Sequence, residues 1–179
     1  MARHIALLRG INLGARNRVP MPALRELLAE RGYEDPRTLL QSGNVLVSSR
    51  KRPQAVGREL EALIAERFGL DIPVVVRSRD ELAAVVGGNP LAGVAADPRR
   101  LQVSFLSAAL EPSVVSALEA ADLEPERLAV RGREIYVWHA AGIQRSAAAK
   151  LLTDAKLGVT ATARNWNTVT ALLELAGED

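Results

Sequence analysis

Basic and amide side chains are concentrated in one short segment near the amino end of the chain, residues 9–18. Five of its side chains could contact an anion: Arg9, Asn12, Arg16, Asn17 and Arg18. Glycine and asparagine tolerate the backbone conformations that turn several N–H groups toward one point, and Gly10 and Gly14 lie in the same segment. The segment also leads to the positive end of the first predicted helix. It therefore predicts a site for a small anionic ligand, namely a phosphate, a nucleotide or a nucleic-acid backbone. The alternative is an ordinary glycine turn with solvated arginines.

A second polar segment, residues 41–44, lies between two apolar runs. It reads Gln41, Ser42, Gly43 and Asn44. Glycine and asparagine here favour a tight hairpin, whose side chains bond their own backbone. Ser42 could act as a nucleophile only beside a base, and no motif places either histidine, His4 or His139, near it. We favour the hairpin interpretation and keep Gln41 and Asn44 as candidate ligand contacts.

The third polar segment reads Arg164, Asn165, Trp166 and Asn167. We predict a helix that begins at Thr162 or Ala163, which puts Asn165 in its first turn. Trp166 then packs on the core, and its indole N–H needs a partner. Two interpretations stand for the polar side chains: a capping and docking element, or ligand contacts through Arg164, Asn165 and Asn167.

Two aromatic residues, Tyr136 and Trp138, lie two positions apart on a predicted strand and so share one face of a sheet. RNA-recognition modules carry base-stacking aromatics on such a strand, but they also use aromatics on the first strand. Here the first strand of that half offers Gln102 and Ser104 among apolar residues. We therefore favour burial of the pair over base stacking.

The elements that position these segments follow a βαββαβ order in the first half. The predicted elements are a strand at 4–9, a helix from Pro22 to near Gly32, strands at 38–41 and 45–48, a helix at 53–68 and a strand at 72–76. This is the ferredoxin-like, split-βαβ order. Its fourth strand lies at a sheet edge, where Pro73, which lacks an N–H, is tolerated.

The second half repeats this order and adds a helix at the end. Ser78 and Glu81 predict a capping box for a helix at 79–86, and residues 87–90 predict a linker. The further predicted elements are a strand at 101–106, a helix at 112–121, strands at 127–131 and 134–138, a helix at 145–156, a strand at 159–162, and a last helix with Trp166, Val169 and Leu173 on one face. The fold class is thus α+β, with two ferredoxin-like (βαββαβ, α/β-plait) units at residues 1–88 and 89–179.

The directions of the strands give an expectation about the first two polar segments. We expect the first and third strands to be parallel, which puts the loop after the first strand and the hairpin at opposite ends of the sheet. A five-residue strand is about 17 Å long. The loop at 10–18 and the turn at 42–44 are then two separate features.

Composition excludes several classes of protein. Apolar residues make up 48% of the 179 residues, so the chain can build a core. Its formal charge of +2, from 23 basic and 21 acidic residues, argues against sequence-specific nucleic-acid recognition. There is no cysteine, no membrane-length apolar run and no motif for a metal or a nucleotide cofactor. We predict no metal, no cofactor and no membrane partner, and a cytoplasmic location.

Three segments together resemble the signature of a bacterial family, domain of unknown function 1697 (DUF1697). They are residues 8–14 with Asn17, residues 41–45 and residues 164–169, which read LRGINLG, QSGNV and RNWNTV. The resemblance implies a pair of ferredoxin-like units and supplies no catalytic residues. One departure is visible, since Arg16 and Arg18 stand where lysine is common in the family, which keeps the charge but changes the donor geometry.

Three hypotheses about function follow. The first is a binding module for a small anionic ligand. The second is a metal-independent enzyme that uses arginine, asparagine and Ser42 electrostatically, although it has no evident base. The third is a structural or oligomeric protein without a ligand. The fold alone does not choose among them, because ferredoxin-like units host many functions.

Overall fold

The computed structural model describes residues 1–94 and 97–178 and contains two compact units. The first unit is Met1–Ala83 with Leu172–Asp179, and the second is Ala84–Ala171. Each unit contains its own four-stranded sheet. The domain boundary between residues 88 and 89 stays a prediction.

The first half of the chain forms seven elements. They are β1 (Ala2–Leu8), α1 (Met21–Glu30), β2 (Glu34–Leu39), β3 (Asn44–Ser49), α2 (Pro53–Phe68), β4 (Val74–Ser78) and α3 (Arg79–Gly87). The predicted capping box of α3 is confirmed: Ser78 Oγ accepts a 3.1 Å bond from the Glu81 N–H, and Glu81 Oε2 accepts a 2.7 Å bond from the Ser78 N–H. Gly69, with φ +67°, ends α2 as expected.

The first sheet has the order β2-β3-β1-β4, which is the predicted ferredoxin-like order. β4 is an edge strand, and Pro73 immediately precedes it. The prediction that β1 and β3 are parallel is wrong, because β3 pairs antiparallel with both β1 and β2. β1 and β2 therefore run in the same direction, and the loop after β1 leaves the sheet at the same end as the β2–β3 hairpin.

The core of the first unit lies between its sheet and the helices α1 and α2. Leu24 and Leu28 of α1 and Leu60 and Ile64 of α2 are fully buried against it. Gly57 allows α2 to approach the sheet, since a Cβ there would lie 3.2 Å from a backbone carbonyl oxygen of β4. The helices thus fix the sheet that carries the loop and the hairpin.

The second half repeats the sheet topology with shorter helices. Its strands and α-helices are β5 (Leu101–Leu106), α4 (Pro112–Glu119), β6 (Arg127–Arg131), β7 (Glu134–Trp138), α5 (Asp154–Leu157), β8 (Ala161–Asn165) and α6 (Trp166–Gly177). Short 3₁₀ turns occupy Pro98–Arg100, Ile143–Arg145 and Ala148–Leu151. The sheet order β6-β7-β5-β8 matches that of the first unit, strand for strand.

The helix predicted at 145–156 is wrong. Glu126 Oε2 accepts a 2.9 Å bond from the Ala148 N–H, and Ser146 Oγ caps the turn that follows with a 2.9 Å bond from the Ala149 N–H. The segment forms two 3₁₀ turns and the four-residue α5 instead. The bond between Ala148 and Glu126, which are 22 residues apart, is the long-range contact that anchors this segment.

The boundary between the last strand and the last helix also differs from the prediction. Residues expected in the first helical turn belong to β8, which pairs with β5 from Gln102↔Asn165 to Leu106↔Ala161. The helix α6 begins at Trp166, so a start at Thr162 or Ala163 is wrong. Edge pairing with β5 keeps residues 161–165 extended.

Candidate functional site

The loop after β1 folds back on itself and is held by hydrogen bonds between its own residues. The Asn12 N–H donates a 3.0 Å bond to the Asn17 carbonyl oxygen, and Leu13 and Arg16 form an isolated β-bridge inside that pair. The backbone has positive φ at Gly10, Asn12, Gly14 and Asn17. These are the residue types that occupy that region most easily, so the sequence of the loop matches its shape.

The amide side chain of Asn12 ties this loop to two other segments. Its Nδ2 donates to the Val19 carbonyl oxygen at 3.0 Å and to the Gln41 carbonyl oxygen at 2.7 Å. Its Oδ1 accepts a 3.0 Å bond from the Val19 N–H. Asn17 does similar work within the loop, where its Nδ2 donates to the Gly10 carbonyl oxygen at 3.1 Å. Both Nδ2 hydrogens of Asn12 are used, so its amide positions the loop.

The β2–β3 hairpin packs directly against β1 and the start of the loop. The Leu8 N–H donates a 2.8 Å bond to the Gly43 carbonyl oxygen. A Cβ added at Gly43, whose φ is +81°, would lie 2.7 Å from Leu8 Cβ and 2.8 Å from Ile11 Cδ1. The expected separation by a strand length is therefore wrong. The loop and the hairpin form one structure at one end of the sheet.

The polar residues of the hairpin bind mainly within the turn. Asn44 is fully buried, and its Nδ2 donates to the Leu39 carbonyl oxygen at 2.8 Å and to Ser42 Oγ at 3.0 Å. Gln41 is exposed, and its carbonyl oxygen accepts the bond from Asn12. These bonds agree with the favoured hairpin interpretation. A role of Gln41 and Asn44 as ligand contacts stays a prediction.

The three arginines of the loop differ in their surroundings. Arg9 is half-buried, and its backbone N–H donates a 3.0 Å bond to the Pro73 carbonyl oxygen. Arg16 and Arg18 are exposed, and neither side chain has a hydrogen bond or ion pair within residues 1–94 and 97–178. The next element is α1, which begins after Pro20 without a side-chain cap. The loop therefore presents two guanidinium groups near an uncapped helix start.

The third polar segment lies in the second unit and supports the start of α6. Asn165 Oδ1 accepts a 3.0 Å bond from the Asn167 N–H, and Asn165 Nδ2 donates a 2.8 Å bond to the Arg99 carbonyl oxygen. Asn167 itself is exposed in the first turn of α6. The capping interpretation therefore accounts for Asn165, while ligand contact through this segment stays a prediction.

Arg164 is a buried arginine on β8. Its Nη1 donates 2.8 Å bonds to Thr162 Oγ1 and to the Ala163 carbonyl oxygen, and burial lowers its pKa to about 10. Arg77 is buried on β4, the equivalent strand of the first unit. Arg77 faces Ile5 in the sheet register and Arg164 faces Val103, so the two arginines hold equivalent positions. Each precedes a capping residue and a helix, which is a residue-level correspondence that sequence analysis missed.

Comparison with known proteins identifies the family. A family model described as a protein of unknown function (DUF1697) matches residues 1–136. The chain belongs to the DUF1697 family. A solved structure of a conserved bacterial protein from Streptococcus pneumoniae is similar over 98% of each chain, with a TM-score of 0.80 and 24% identity. None of the curated proteins compared with the chain matches it.

These comparisons agree with the resemblance seen in the sequence and with the α+β fold. At this level of identity, the similarity to the pneumococcal protein concerns the fold alone. No helix in the described part of the chain is long and apolar enough to cross a membrane. The same residues contain no group of three or more acidic or histidine side chains that could hold a metal ion.

The aromatic pair on β7 has two different surroundings. Tyr136 is buried, its hydroxyl donates a 2.9 Å bond to the Val85 carbonyl oxygen, and burial raises its pKa to about 12. Trp138 is half-buried, and its Nε1 has no hydrogen-bond partner among the described residues. A buried Tyr136 cannot stack on a nucleobase, so the favoured interpretation holds for this residue.

A buried polar cluster around His139 was not visible in the sequence. His139 Nδ1 lies 2.7 Å from Ser146 Oγ and 3.8 Å from Glu126 Oε1, and Nε2 lies 3.2 Å from Gln102 Oε1. Burial is the main effect on His139 and lowers its pKa, although the Glu126 carboxylate opposes that shift. Gln102 lies 37 residues from His139 in the sequence, and no known motif links the four residues.

This cluster does not have the arrangement of a nucleophile activated by a base. Ser146 and Glu126 approach the same ring nitrogen of His139, whereas a catalytic triad places the nucleophile and the acid on opposite nitrogens. Ser146 Oγ also accepts a bond from the Ala149 N–H, and Ser146 and His139 are almost fully buried. The cluster instead holds residues 143–151 on the sheet of the second unit.

Proposed function

We propose that this DUF1697 protein binds a small anionic ligand at the loop–hairpin end of the first unit, and that Arg16 and Arg18 contact the ligand. The observation that carries the proposal is the bond from Asn12 to Gln41. This bond fixes the loop of residues 9–18, called the arginine loop below, against the β2–β3 hairpin. A loop held in one conformation loses little entropy when it binds.

The charges of this region support an anionic ligand. Several other arginines of the chain, such as Arg3, Arg31 and Arg37, form ion pairs with carboxylates. Arg16 and Arg18 have no such partner in the described part of the chain. A guanidinium group matches phosphate and carboxylate geometry with paired N–H donors. The ligand classes are therefore a phosphate, a nucleotide or a nucleic-acid backbone.

The alternative function, an enzyme with Ser42 as its nucleophile, is supported by the position of Ser42 but has no base to activate that residue. Ser42 follows the residue that Asn12 binds, so it lies beside the arginine loop. However, its Oγ accepts a bond from Asn44, and His4 is buried within β1, while His139 belongs to the second unit. No histidine is thus available in this unit to activate Ser42, and binding is the better-supported function.

The experiment is a titration of the purified protein with pyrophosphate and with ATP, followed by amide chemical shifts in NMR spectra. We expect shifts at residues 10–18 and affinity about tenfold weaker in the Arg16→Ala/Arg18→Ala double variant. Arg58→Ala, which removes an exposed arginine of α2, is the matched control and keeps wild-type affinity.

Two results would contradict the proposal. One is the absence of shifts at residues 10–18 with millimolar probe, and the other is equal affinity of the double variant and the wild-type protein. Release of inorganic phosphate from either probe, abolished in Ser42→Ala, would establish the enzyme alternative instead. Higher salt should weaken binding, because the attraction is between charges.

A further inference from the structure

The core of the second unit is covered less completely than that of the first. In the first unit, the partly buried apolar residues that pack against the core between the sheet and the helices are Phe68 and Leu70. In the second unit, they include Val114, Val115, Leu123, Leu128, Leu151 and Leu152.

The cause is the connection between β7 and β8. In the first unit, the equivalent connection carries α2, a helix of 16 residues that covers its sheet. In the second unit, the His139 cluster holds the connection as 3₁₀ turns followed by α5, a helix of four residues. The shortened helices leave space beside α4.

This space is a groove with a volume of about 300 Å³ between α4 and the turn Ala148–Leu151. Its apolar lining comes from Val114, Ala117, Leu118, Ala121 and Leu151. The volume lies at the lower end of the range for small-molecule sites, about 300–1,000 Å³. It therefore suits a single narrow apolar group.

Ser113 and one charged residue, Lys156, complete the lining of the groove. Lys156 Nζ donates a 2.8 Å bond to the Lys150 carbonyl oxygen, which uses one of three N–H donors. Lys156 is exposed, and within the described residues it has no carboxylate partner. An apolar groove with one unpaired cation is complementary to an apolar chain that ends in an anion.

We propose that this groove of the second unit binds the acyl chain of a medium-chain fatty acid, whose carboxylate pairs with Lys156. The chain replaces water against Leu118 and Leu151, which is favourable because apolar surface leaves water. The site is separate from the arginine loop and does not depend on the function proposed for it.

The test uses decanoate as the probe, with decanol as the uncharged equivalent, and reads amide shifts in NMR spectra of the full chain. In the wild-type protein we expect both probes to shift residues of α4 and the turn Ala148–Leu151. Lys156→Gln should weaken the affinity for decanoate by about two- to fivefold, which is the effect of losing an exposed ion pair, and should leave the affinity for decanol unchanged. Lys150→Gln is the matched control, because it removes an exposed lysine of the same segment that does not line the groove.

Ala117→Phe should fill the groove and abolish binding of both probes, with far-ultraviolet circular dichroism as the check on folding. The shifts in the wild-type protein locate the site without any substitution. The proposal is overturned if millimolar decanoate leaves α4 unshifted, or if Lys150→Gln and Lys156→Gln weaken decanoate equally. Equal affinity of decanoate and decanol would overturn the role of Lys156.

Discussion

Asn12 Nδ2 donates a 2.7 Å hydrogen bond to the carbonyl oxygen of Gln41, 29 residues further along the chain. The bond joins the arginine loop to the β2–β3 hairpin. The loop follows β1 and the hairpin follows β2, and both strands finish at the same end of the sheet. The bond exists because β1 and β2 are parallel, with β3 between them. The relationship explains how polar segments distant in sequence form one structure.

The first prediction concerns Asn12. Asn12→Ala removes two donated bonds and one accepted bond, and it also places alanine at a φ of +53°. We expect a loss of about 2–4 kcal/mol in the free energy of unfolding, measured by urea denaturation. Gln54→Ala, at an exposed position of α2, is the control and should change stability by less than about 0.5 kcal/mol. Equal stability of the two variants would contradict the role of Asn12.

The second prediction compares two glycines. Gly43→Ala puts a Cβ 2.7 Å from Leu8 Cβ at a φ of +81°, so the hairpin must move away from β1. Gly69→Ala has a similar φ of +67° but meets nothing within 4 Å. We expect Gly69→Ala to lose about 1 kcal/mol from backbone strain alone, and Gly43→Ala about 3 kcal/mol from strain and overlap. Similar melting temperatures for the two variants would show that the close approach is unimportant.

The third prediction concerns pH. Burial holds the pKa of His139 below its ordinary value of 6.5, so the folded protein keeps this ring neutral while the unfolded chain takes up a proton. The stability that this difference provides is present above pH 6.5 and is lost as pH falls through the folded pKa. His4, also buried, shifts in the same direction.

We therefore expect His139→Gln to lose less stability than the wild-type protein between pH 7.5 and pH 5, even if its stability at pH 7.5 is lower. Urea denaturation at several pH values measures this slope. The Glu126 carboxylate, whose Oε1 lies 3.8 Å from His139 Nδ1, is common to both proteins. Parallel curves for the two proteins would contradict the assignment of the slope to His139.

The fourth prediction concerns α6. The sequence predicts an apolar face of Trp166, Val169 and Leu173. If Trp166 were fully buried, Trp166→Ala would lower the free energy of unfolding by about 3–5 kcal/mol. In the structure Val169, Leu172 and Ala176 are buried, whereas Trp166 is half-buried. We expect Leu172→Ala to lower the free energy of unfolding by about 2–5 kcal/mol and Trp166→Ala by less. A larger loss for Trp166→Ala would show that the indole is the main anchor of α6.

The sequence determined the order of elements and their local signals. Periodic apolar residues predicted α2 with the bounds that the structure shows. The Ser78–Glu81 capping box and the end of α2 at Gly69 were also readable, because such signals act within a few residues. The element order predicted the ferredoxin-like sheets, with Pro73 in an edge strand that the structure begins one residue later, at Val74. The DUF1697 resemblance was readable because its three segments keep their spacing along the chain.

Only the tertiary structure decided which of these elements meet. A β–α–β crossover makes β1 and β2 parallel and a tight hairpin makes β3 antiparallel to β2, so the parallel β1 and β3 of our prediction were a wrong assignment, and the convergence of Asn12 and Gln41 was missed. Residues 145–156 favour a helix locally, yet the segment forms short turns and its Ala148 N–H is bound by Glu126, 22 residues away. Pairing with β5 likewise keeps Asn165 in a strand. In the last two cases contacts between residues distant in sequence outweigh a local preference of less than about 1 kcal/mol per residue.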